Sequence, residues 1–396
     1  MSSLSIKAKL ARAAVATAAA GAALASVLPT PTAVHADPKQ YTALQGVGSD
    51  TIEQVSNALA GFAGTQTYQP ITSGAPSYAV LSSWDALGTS CITTKTGGPS
   101  FTRPNGSGQG AKALSRAIDA GGFGSAACGG VKDVSGMIDF SRSSSAPSGT
   151  GTALTYVPFA RDGVSFAYYR ASGGAPVTSL TKQQLVDIFT VGPQTINGVQ
   201  IIGCGIQTGS GTYNFWNQVL GATTSTEAAA TTSCNNLTGG TRAQENDGAS
   251  LKARGDLAPA GTQVVIGFSA ANFIAKSNLV TADPAPPAGV GIGSVSDFGG
   301  SPITGTAPNL APNAAYYTMA GGFGRYVYNV VSTTRIDAPV GNTEIKGLFK
   351  GPNSGVCTAD ATVAKFGFLP LDIAQYPTLL DCGDTTSKAP LSSGQI

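Results

Sequence analysis

The sequence predicts an α/β protein with two domains, and one observation supports each part of this prediction. Strand-like and helix-like segments alternate along the chain, as they do in α/β folds. The chain has 396 residues, whereas a single hydrophobic core stops growing near ~250–300 residues. Two domains are therefore expected.

The first elements are a strand and a helix. The segment "ALQGVG" (43–48) is typical of a strand that runs into a loop. The segment after it has Ile52, Val55 and Leu59 at helical spacing, with Ser49 or Asp50 as the expected N-cap.

The same arrangement follows further along the chain. The loop "GSGQG" (106–110) precedes a helix whose apolar face is formed by Ala111, Leu114 and Ile118. The segment "GMIDFSRSSSAP" indicates a short strand that ends in a hydroxyl-rich turn.

Later segments continue the alternation. The sequence predicts two β-like runs in "TYVPFARDGVSFAYYR" and a short helix in "SLTKQQLVDIF", where Thr181 and Gln184 have capping-box spacing. It predicts a strand followed by a helix in "TQVVIGFSAANFIAK", a surface loop over 280–315, and a strand in "GRYVYNVVST".

The N-terminus has the pattern of a signal peptide over residues 1–36. Basic residues (Lys7, Lys9 and Arg12) precede an apolar run at 13–28, and small residues up to Ala36 form a cleavage site. Export is therefore expected, with a mature chain that begins near Asp37 and carries about zero net charge. No cysteine lies near the cleavage site, so no lipid anchor is expected there, and the sequence predicts a secreted protein.

Charge and hydropathy exclude two classes of partner. The formal charge is +2 with no polybasic stretch, so nucleic acid is not expected to bind. The apolar run at 13–28 is shorter than the ~20 residues of a spanning helix, so membrane insertion is not expected either.

Six cysteines are expected to form three disulfides in the oxidising environment outside the cell. Spacing alone leaves all pairings open, and we favour the sequential one because it closes short separations. The favoured pairs are Cys91–Cys128, Cys204–Cys234 and Cys357–Cys382. No pair has CxxC spacing, so no metal site is predicted.

The residue inventory disfavours an enzyme. The single histidine, His35, lies in the signal segment, so the mature chain lacks the usual catalytic base. No nucleophile elbow and no lysine-bearing phosphate loop is present, and no cofactor is predicted. A glycosidase that uses two carboxylates remains open, although no motif indicates it.

Three glycine- and hydroxyl-rich loops lead directly into predicted helices. They are "GVGSDT" (46–51), "GSGQG" (106–110) and "TGSGT" (208–212). The first amides of a helix lack internal partners and carry the positive end of its dipole, so each loop is a candidate anion site. With the polar turn "SRSSS" (141–145), they could converge on one small oxyanion.

The order of these motifs resembles that of the phosphate-binding proteins that serve ABC phosphate importers. The resemblance covers roughly residues 43–335 and also includes "YVPFARDGVSF", "LTKQQLVDIF" and "VVIGFS". It implies two Rossmann-like α/β lobes joined by two crossing strands, the type II periplasmic-binding-protein architecture. Lobe I would take residues 37–157 and 323–396, and lobe II would take 158–322.

The resemblance implies that the ligand binds in a cleft between the lobes. By position, the residues that match the family's three binding loops are Asp50, Thr51, Ser107, Ser210, Gly211 and Thr212. We expect further ligand contacts from Ser49, Ser141, Arg142, Ser143 and Gln207, and the mouth of the cleft is a candidate position for Arg161 and Asp162.

Two positions depart from the family pattern. The family has an arginine shortly before its Ser-Gly-Thr step, where this chain has Ile206, Gln207 and Thr208. The family also has an aspartate after a serine in the turn that follows the third strand, where this chain has Arg142. That aspartate accepts a hydrogen bond from protonated phosphate. We therefore expect Arg142 to supply the positive charge, and Asp50 or Asp162 are the candidates to replace the acceptor.

Several motifs have plainer interpretations. Arg142 could be a surface residue, Arg161 and Asp162 could form a weak local ion pair, and Gln207 could only cap its loop. Trp216 is expected in the core, and a solvated loop or helix start is the expected setting of "QENDG" (244–248).

The sequence thus predicts an exported binding protein that captures inorganic phosphate or a similar oxyanion for an ABC permease. The alternative is an extracellular structural or adhesive protein that keeps the fold without a small-molecule site.

Overall fold

The computed structural model describes residues 37, 44–63, 66–73 and 81–396. The predicted signal peptide, residues 1–36, lies outside the described residues. No helix in the described ranges is long and apolar enough to cross a membrane.

The strands of the described residues are β1 Leu44–Gly48, β2 Phe62–Ala63, β3 Gln66–Thr67, β4 Leu81–Ser83, β5 Cys91–Ile92, β6 Phe101–Thr102, β7 Phe140–Ser143, β8 Leu154–Arg170, β9 Ser179–Leu180, β10 Gln194–Ile196, β11 Val199–Gly203, β12 Gln263–Ser269, β13 Gly291–Ile292, β14 Ser294–Val295, β15 Ile303–Thr304, β16 Ala311–Pro312, β17 Gly324–Ser332, β18 Leu369–Pro370 and β19 Lys388–Ala389.

The helices of the same residues are α1 Glu53–Leu59, α2 Ser107–Asp119, α3 Lys182–Thr190, α4 Gly211–Leu220, α5 Thr224–Asn236, α6 Gly248–Leu257, α7 Ala270–Ser277, α8 Ala314–Thr318, α9 Thr333–Ile336, α10 Thr343–Phe349 and α11 Asp360–Lys365. A short 3₁₀ turn lies at Ala126–Cys128.

The 17-residue strand β8 is shared by two groups of strands in a mixed sheet. Its first part pairs antiparallel with β17, which continues through β7 to β1 and β4. Its second part pairs antiparallel with β12, followed by β11 and β10. The sequence predicted two β-like runs here, and the structure has one continuous strand because the polar residues between the runs are buried and paired.

Strand β8 contributes side chains to four hydrophobic clusters. Val157 and Tyr156 belong to two clusters that involve the first group of strands. Phe166 and Ala167 belong to two others that involve the second group. The α/β prediction with a crossing strand is confirmed. The predicted lobe boundary at 157/158 falls inside β8, and the division into two lobes stays a prediction.

Most predicted elements form near the expected positions. The capping box of α3 forms between Thr181 and Gln184, and Trp216 is buried in the core. Two details of the predicted helices were wrong, the N-cap of α1 and the burial of one residue on the apolar face of α2. Helix α1 begins after Ile52 without a side-chain cap, so neither Ser49 nor Asp50 caps it. Ile118, at the end of α2, is 41% exposed because the helix ends one residue later.

The predicted sequential disulfides are confirmed. Cys91 pairs with Cys128, Cys204 with Cys234, and Cys357 with Cys382. The first two disulfides enclose the starts of α2 and α4 in the sequence.

The region 280–315, predicted as surface loop, also contains four short strands, β13 to β16.

Candidate oxyanion site

The loop between β1 and α1 supplies the first hydroxyls. Ser49 lies at the end of β1, where its amide donates to the carbonyl of Arg142 on the neighbouring strand β7. Parallel pairing of β1 with β7 brings the carboxyl ends of both strands to one edge of the sheet. Ser49 and Thr51 are both buried at this edge.

The start of α2 and the turn after β7 meet the first loop. The Ser107 hydroxyl accepts a hydrogen bond from the Ser144 amide at 3.0 Å and lies 3.3 Å from the Ser144 hydroxyl. The Ser144 hydroxyl in turn lies 3.1 Å from that of Ser49 and 3.3 Å from that of Thr51.

The start of α4 approaches from the second group of strands. Ser210 caps this helix, because its hydroxyl accepts from the Tyr213 amide. The Thr212 hydroxyl lies 3.2 Å from that of Thr51. Gly211 allows the approach, since a Cβ at this position would lie 2.2 Å from the Ser144 hydroxyl and 2.5 Å from the Ser107 hydroxyl.

We call these six side chains the hydroxyl cluster. Its members come from four separate turns, and each is buried: Ser49, Thr51, Ser107, Ser144, Ser210 and Thr212. Two of the turns begin helices of 13 and 10 residues, whose dipoles place partial positive charge at the cluster. The starts of α2 and α4 thus meet at the cluster, together with the loop before α1 and the turn after β7, and the binding of an oxyanion there stays a prediction.

Arg325 on β17 places a guanidinium against the cluster. Its Nη2 donates to the hydroxyls of Thr212 at 2.9 Å and Thr51 at 3.3 Å. Its Nε and Nη2 also bind Asp162, directly opposite on β8. The buried Nη1 of Arg325 has no hydrogen-bond partner among the described residues.

Glu245, in the loop before α6, places a carboxylate against the cluster. Its Oε2 accepts from the hydroxyl of Ser210 at 2.5 Å and from that of Thr51 at 3.5 Å. Its Oε1 is buried without a hydrogen-bond partner in the described part of the chain. Burial raises the pKa of Glu245, although hydrogen bonds from Ser210 and Thr212 oppose the shift.

A second carboxyl group, that of Asp50, lies beside this one. Burial, reinforced by the negative charge of Glu245, raises the pKa of Asp50 to about 7. Its Oδ2 accepts from Asn246 Nδ2 at 3.1 Å, and the same amide lies 3.3 Å from the Thr51 hydroxyl. Two carboxyl groups at one buried site favour a proton on at least one of them.

Arg142 does not have the role expected from the sequence. Its guanidinium is completely buried and donates to the carbonyls of Ser49, Gly46, Gly48 and Trp84 and to the hydroxyl of Ser83. These five bonds use all the donors that a guanidinium has. Arg142 therefore stabilises the loop between β1 and α1 through its backbone carbonyls. The interpretation of Arg142 as a surface residue is also wrong.

The other predicted residues lie around the cluster. The Ser141 hydroxyl is buried without a partner among the described residues, and the Ser143 hydroxyl donates to the carbonyl of Ser145. Gln207 holds Glu245, because its Oε1 accepts from the Glu245 amide at 2.6 Å.

The possible local pair of Arg161 and Asp162 does not form. Asp162 pairs with Arg325, while Arg161 stacks over the ring of Tyr326 and donates to the carbonyl of Tyr317. The Oδ1 atom of Asp162 accepts hydrogen bonds from the Ser269 hydroxyl and the Ala271 amide. Both oxygens of this carboxylate are therefore bound by groups of the protein itself.

Sequence reasoning missed four residues of the site: Ser144, Glu245, Asn246 and Arg325. Ser144 lay in the "SRSSS" turn, which was noted as a candidate. Glu245 and Asn246 lay in "QENDG", where a solvated loop or a helix start was expected. Helix α6 does begin there, with Asp247 as its N-cap, but Glu245 is buried rather than solvated. Arg325 had no local signal, since it is one residue of a predicted strand.

Metal ligands are not gathered at this site. Among the described residues, no group of three or more histidine, cysteine, aspartate or glutamate side chains could hold a metal ion.

Comparison with known proteins gave similarities in structure only. No protein-family model and no curated protein matches the chain. A protein of Clostridium perfringens, solved with bound phosphate, is 13% identical over 83% of this chain and all of that chain, with a TM-score of 0.45. An ABC-type phosphate transport receptor from Vibrio cholerae is 12% identical over 82% of this chain and 99% of that chain, with a TM-score of 0.40.

A phosphate-binding protein from Stenotrophomonas maltophilia is 18% identical over 84% of this chain and 91% of that chain, with a TM-score of 0.39. At such identities and scores, we draw no functional conclusion from these similarities. We base the function on the geometry of the site.

Proposed function

We propose that the chain is an exported solute-binding protein that captures a small oxyanion, inorganic phosphate first of all, at the hydroxyl cluster. One observation carries this proposal: six hydroxyls from four separate turns meet in one buried site beside a guanidinium. The protein would belong with the phosphate-binding proteins of ABC importers, deliver its ligand to such a permease and perform no chemistry.

The polar groups of the cluster match what an oxyanion requires. Hydrogen bonds to a charged group are worth about 1.5–3 kcal/mol each, and micromolar affinity requires about 8 kcal/mol. Several hydroxyl donors and the free Nη1 of Arg325 reach that value after the cost of desolvation. The hydroxyls now lie 3.1–3.3 Å from each other, so the turns must separate to admit an ion.

Glu245 gives the site a reason to prefer phosphate over sulfate. A carboxylate beside the ion repels it unless a proton lies between the two. Phosphate carries such a proton at neutral pH, whereas sulfate is fully ionised. Glu245 thus takes the acceptor role for which the sequence had suggested Asp50 or Asp162, and its unpartnered Oε1 is the atom that would accept the proton.

Isothermal titration calorimetry of the chain from Asp37 onward tests the proposal. Inorganic phosphate should give saturable heat and sulfate little or none. The substitution Ser210→Ala removes one donor of the cluster and should weaken phosphate binding about tenfold, the effect of about 1.4 kcal/mol.

The matched control is Thr223→Ala, because Thr223 caps α5 as Ser210 caps α4 but lies away from the cluster. It should cost similar stability, about 1 kcal/mol, and leave affinity unchanged. Absence of heat with both anions would reject the binding function in favour of a structural or adhesive protein. Equal affinities for phosphate and sulfate would reject only the proposed role of Glu245 in selectivity and would leave the binding function in place.

A further inference from the structure

A cavity of about 630 Å³ adjoins the hydroxyl cluster. Ser107 and Ser144 belong to both, and Arg325, which donates to the cluster, also lines the cavity, so an ion held at the cluster would border the cavity. Ligand sites in proteins typically measure about 300–1,000 Å³, which is far more than inorganic phosphate alone fills.

Aromatic rings form one wall of this cavity. Tyr156 on β8 and Tyr328 on β17 pack edge to face with ring centroids 5.7 Å apart, and Tyr326 lies 6.1 Å from Tyr328. Phe215 on α4 completes the wall, and the guanidinium of Arg325 lies 5.7 Å from its ring centroid. Such a wall favours contact with a planar organic group.

A second buried guanidinium, that of Arg161, also lines the cavity. It is 6% exposed and lies 4.6 Å above the ring of Tyr326. Its Nε donates to a carbonyl, but no carboxylate among the described residues forms a salt bridge with it. A guanidinium is planar and can stack on a further planar group.

We propose that this cavity is a second subsite, which receives the organic part of a phosphate monoester that carries a planar ring. The phosphoryl group binds at the hydroxyl cluster, and the ring lies among Tyr326, Tyr328 and Arg161. The inference rests on the proposed function, since it requires the cluster to hold the phosphoryl group. Exposed Asn214 and Gln218 at the edge of the cavity leave room for a larger substituent.

Calorimetry at about pH 5 with three probes tests the subsite: inorganic phosphate, phenyl phosphate and phenol. A phosphate monoester has its second pKa at about 6, so at this pH phenyl phosphate keeps the proton that Glu245 accepts. Phenyl phosphate should bind about tenfold or more tightly than inorganic phosphate, as expected for one added stacking contact of about 1.4 kcal/mol. Phenol should bind weakly, because it lacks the phosphoryl group.

The variant Gln218→Trp fills the cavity from its exposed edge without removing a buried contact. It should abolish the advantage of phenyl phosphate and keep the affinity for inorganic phosphate. Gln183→Trp, at an exposed position of α3, is the matched control and should change neither affinity.

The outcomes separate the two proposals. Binding of inorganic phosphate with no gain for phenyl phosphate overturns the subsite and leaves the proposed function intact. Equal losses for both ligands in Gln218→Trp, or phenol binding as tight as phenyl phosphate, also overturn it. Absence of binding by both phosphates overturns both proposals.

Discussion

Arg142 and Arg325 are both buried, and their surroundings differ. Arg142 gives five hydrogen bonds to backbone carbonyls and one hydroxyl around the first loop, so no donor remains. Arg325 is neutralised by Asp162 and donates to two hydroxyls of the cluster, and its Nη1 has no hydrogen-bond partner in the part of the chain that the structure describes. A guanidinium whose donors are all used stabilises the fold, whereas one with an unused donor in a polar site is available to bind a ligand.

The largest expected effect is on stability, in Arg142→Met. An acceptor left unsatisfied in the interior costs about 1–3 kcal/mol, and Arg142→Met leaves five buried acceptors without their donor. We expect the free energy of unfolding in urea to fall by at least about 3 kcal/mol. Arg116→Met, which breaks a more exposed pair with Asp119, is the control and should cost under about 1 kcal/mol.

A loss of stability in Arg142→Met would confirm that Arg142 has a structural role. A variant Arg142→Met that keeps its stability and loses phosphate affinity would reverse our assignment and restore the ligand contact expected from the sequence.

The second effect is on affinity, in the double variant Arg325→Met/Asp162→Asn. Both charges of the buried pair leave together, so the fold should survive. Phosphate binding should weaken about 10- to 100-fold, because a charged hydrogen bond worth about 1.5–3 kcal/mol is lost. Calorimetry provides the measurement.

Asp162→Asn alone is the control for this variant. It releases Arg325 from its counter-ion, so phosphate should bind at least as tightly as it binds the unchanged chain. A tenfold loss in this single variant would show that Asp162, rather than Arg325, is what the ligand requires.

A third, smaller loss of affinity is expected for Gly211→Ala. The turns must separate to admit the ion, and the added methyl group would take up part of the space between them, because its Cβ lies 2.2 Å from the Ser144 hydroxyl and 2.5 Å from the Ser107 hydroxyl. These contacts should also cost about 1–3 kcal/mol of stability, as overpacking does in an interior. Gly248→Ala, at the same helical position of α6, is the control and should leave affinity unchanged, and an unchanged affinity in Gly211→Ala would show that the ion does not occupy this space.

The smallest effect concerns pH and the carboxyl pair. The pKa of Asp50 is raised to about 7, so the native chain keeps a proton that the unfolded chain releases near 3.8. The native state therefore binds more protons between these values, and this contribution to stability is lost as pH rises through about 7. Glu245 and Asp283 reinforce this shift and Lys276 opposes it.

Asp50→Asn should remove this contribution. Urea unfolding between pH 5 and 8 should then show a smaller fall in stability with rising pH than in the unchanged chain. Asp133→Asn, on an exposed turn, should leave the slope in this range as it is. An identical slope in Asp50→Asn would mean that Asp50 is ionised throughout.

The sequence by itself determined the elements and the turns that carry the hydroxyls. Apolar spacing placed α1 and α2, and capping-box spacing marked the start of α3. The loops before Ser107 and Ser210 were recognised because glycine and hydroxyl residues precede a helix. Short separations also favoured the disulfide pairs that the structure contains. These signals are local, and local backbone preferences act within a few residues.

Tertiary structure alone decided which charges meet the hydroxyls. Arg142 lies in the hydroxyl-rich turn "SRSSS" and Arg325 in a predicted strand, and the local pattern favoured Arg142 as the ligand contact. What differs is which carbonyls and carboxylates lie opposite once β7, β8 and β17 have paired, and those partners are remote in sequence. Glu245 is buried for the same reason, because its neighbours Thr51 and Ser210 come from other parts of the chain. Burial and hydrogen-bond partners set the charge and availability of a side chain, and both depend on long-range packing.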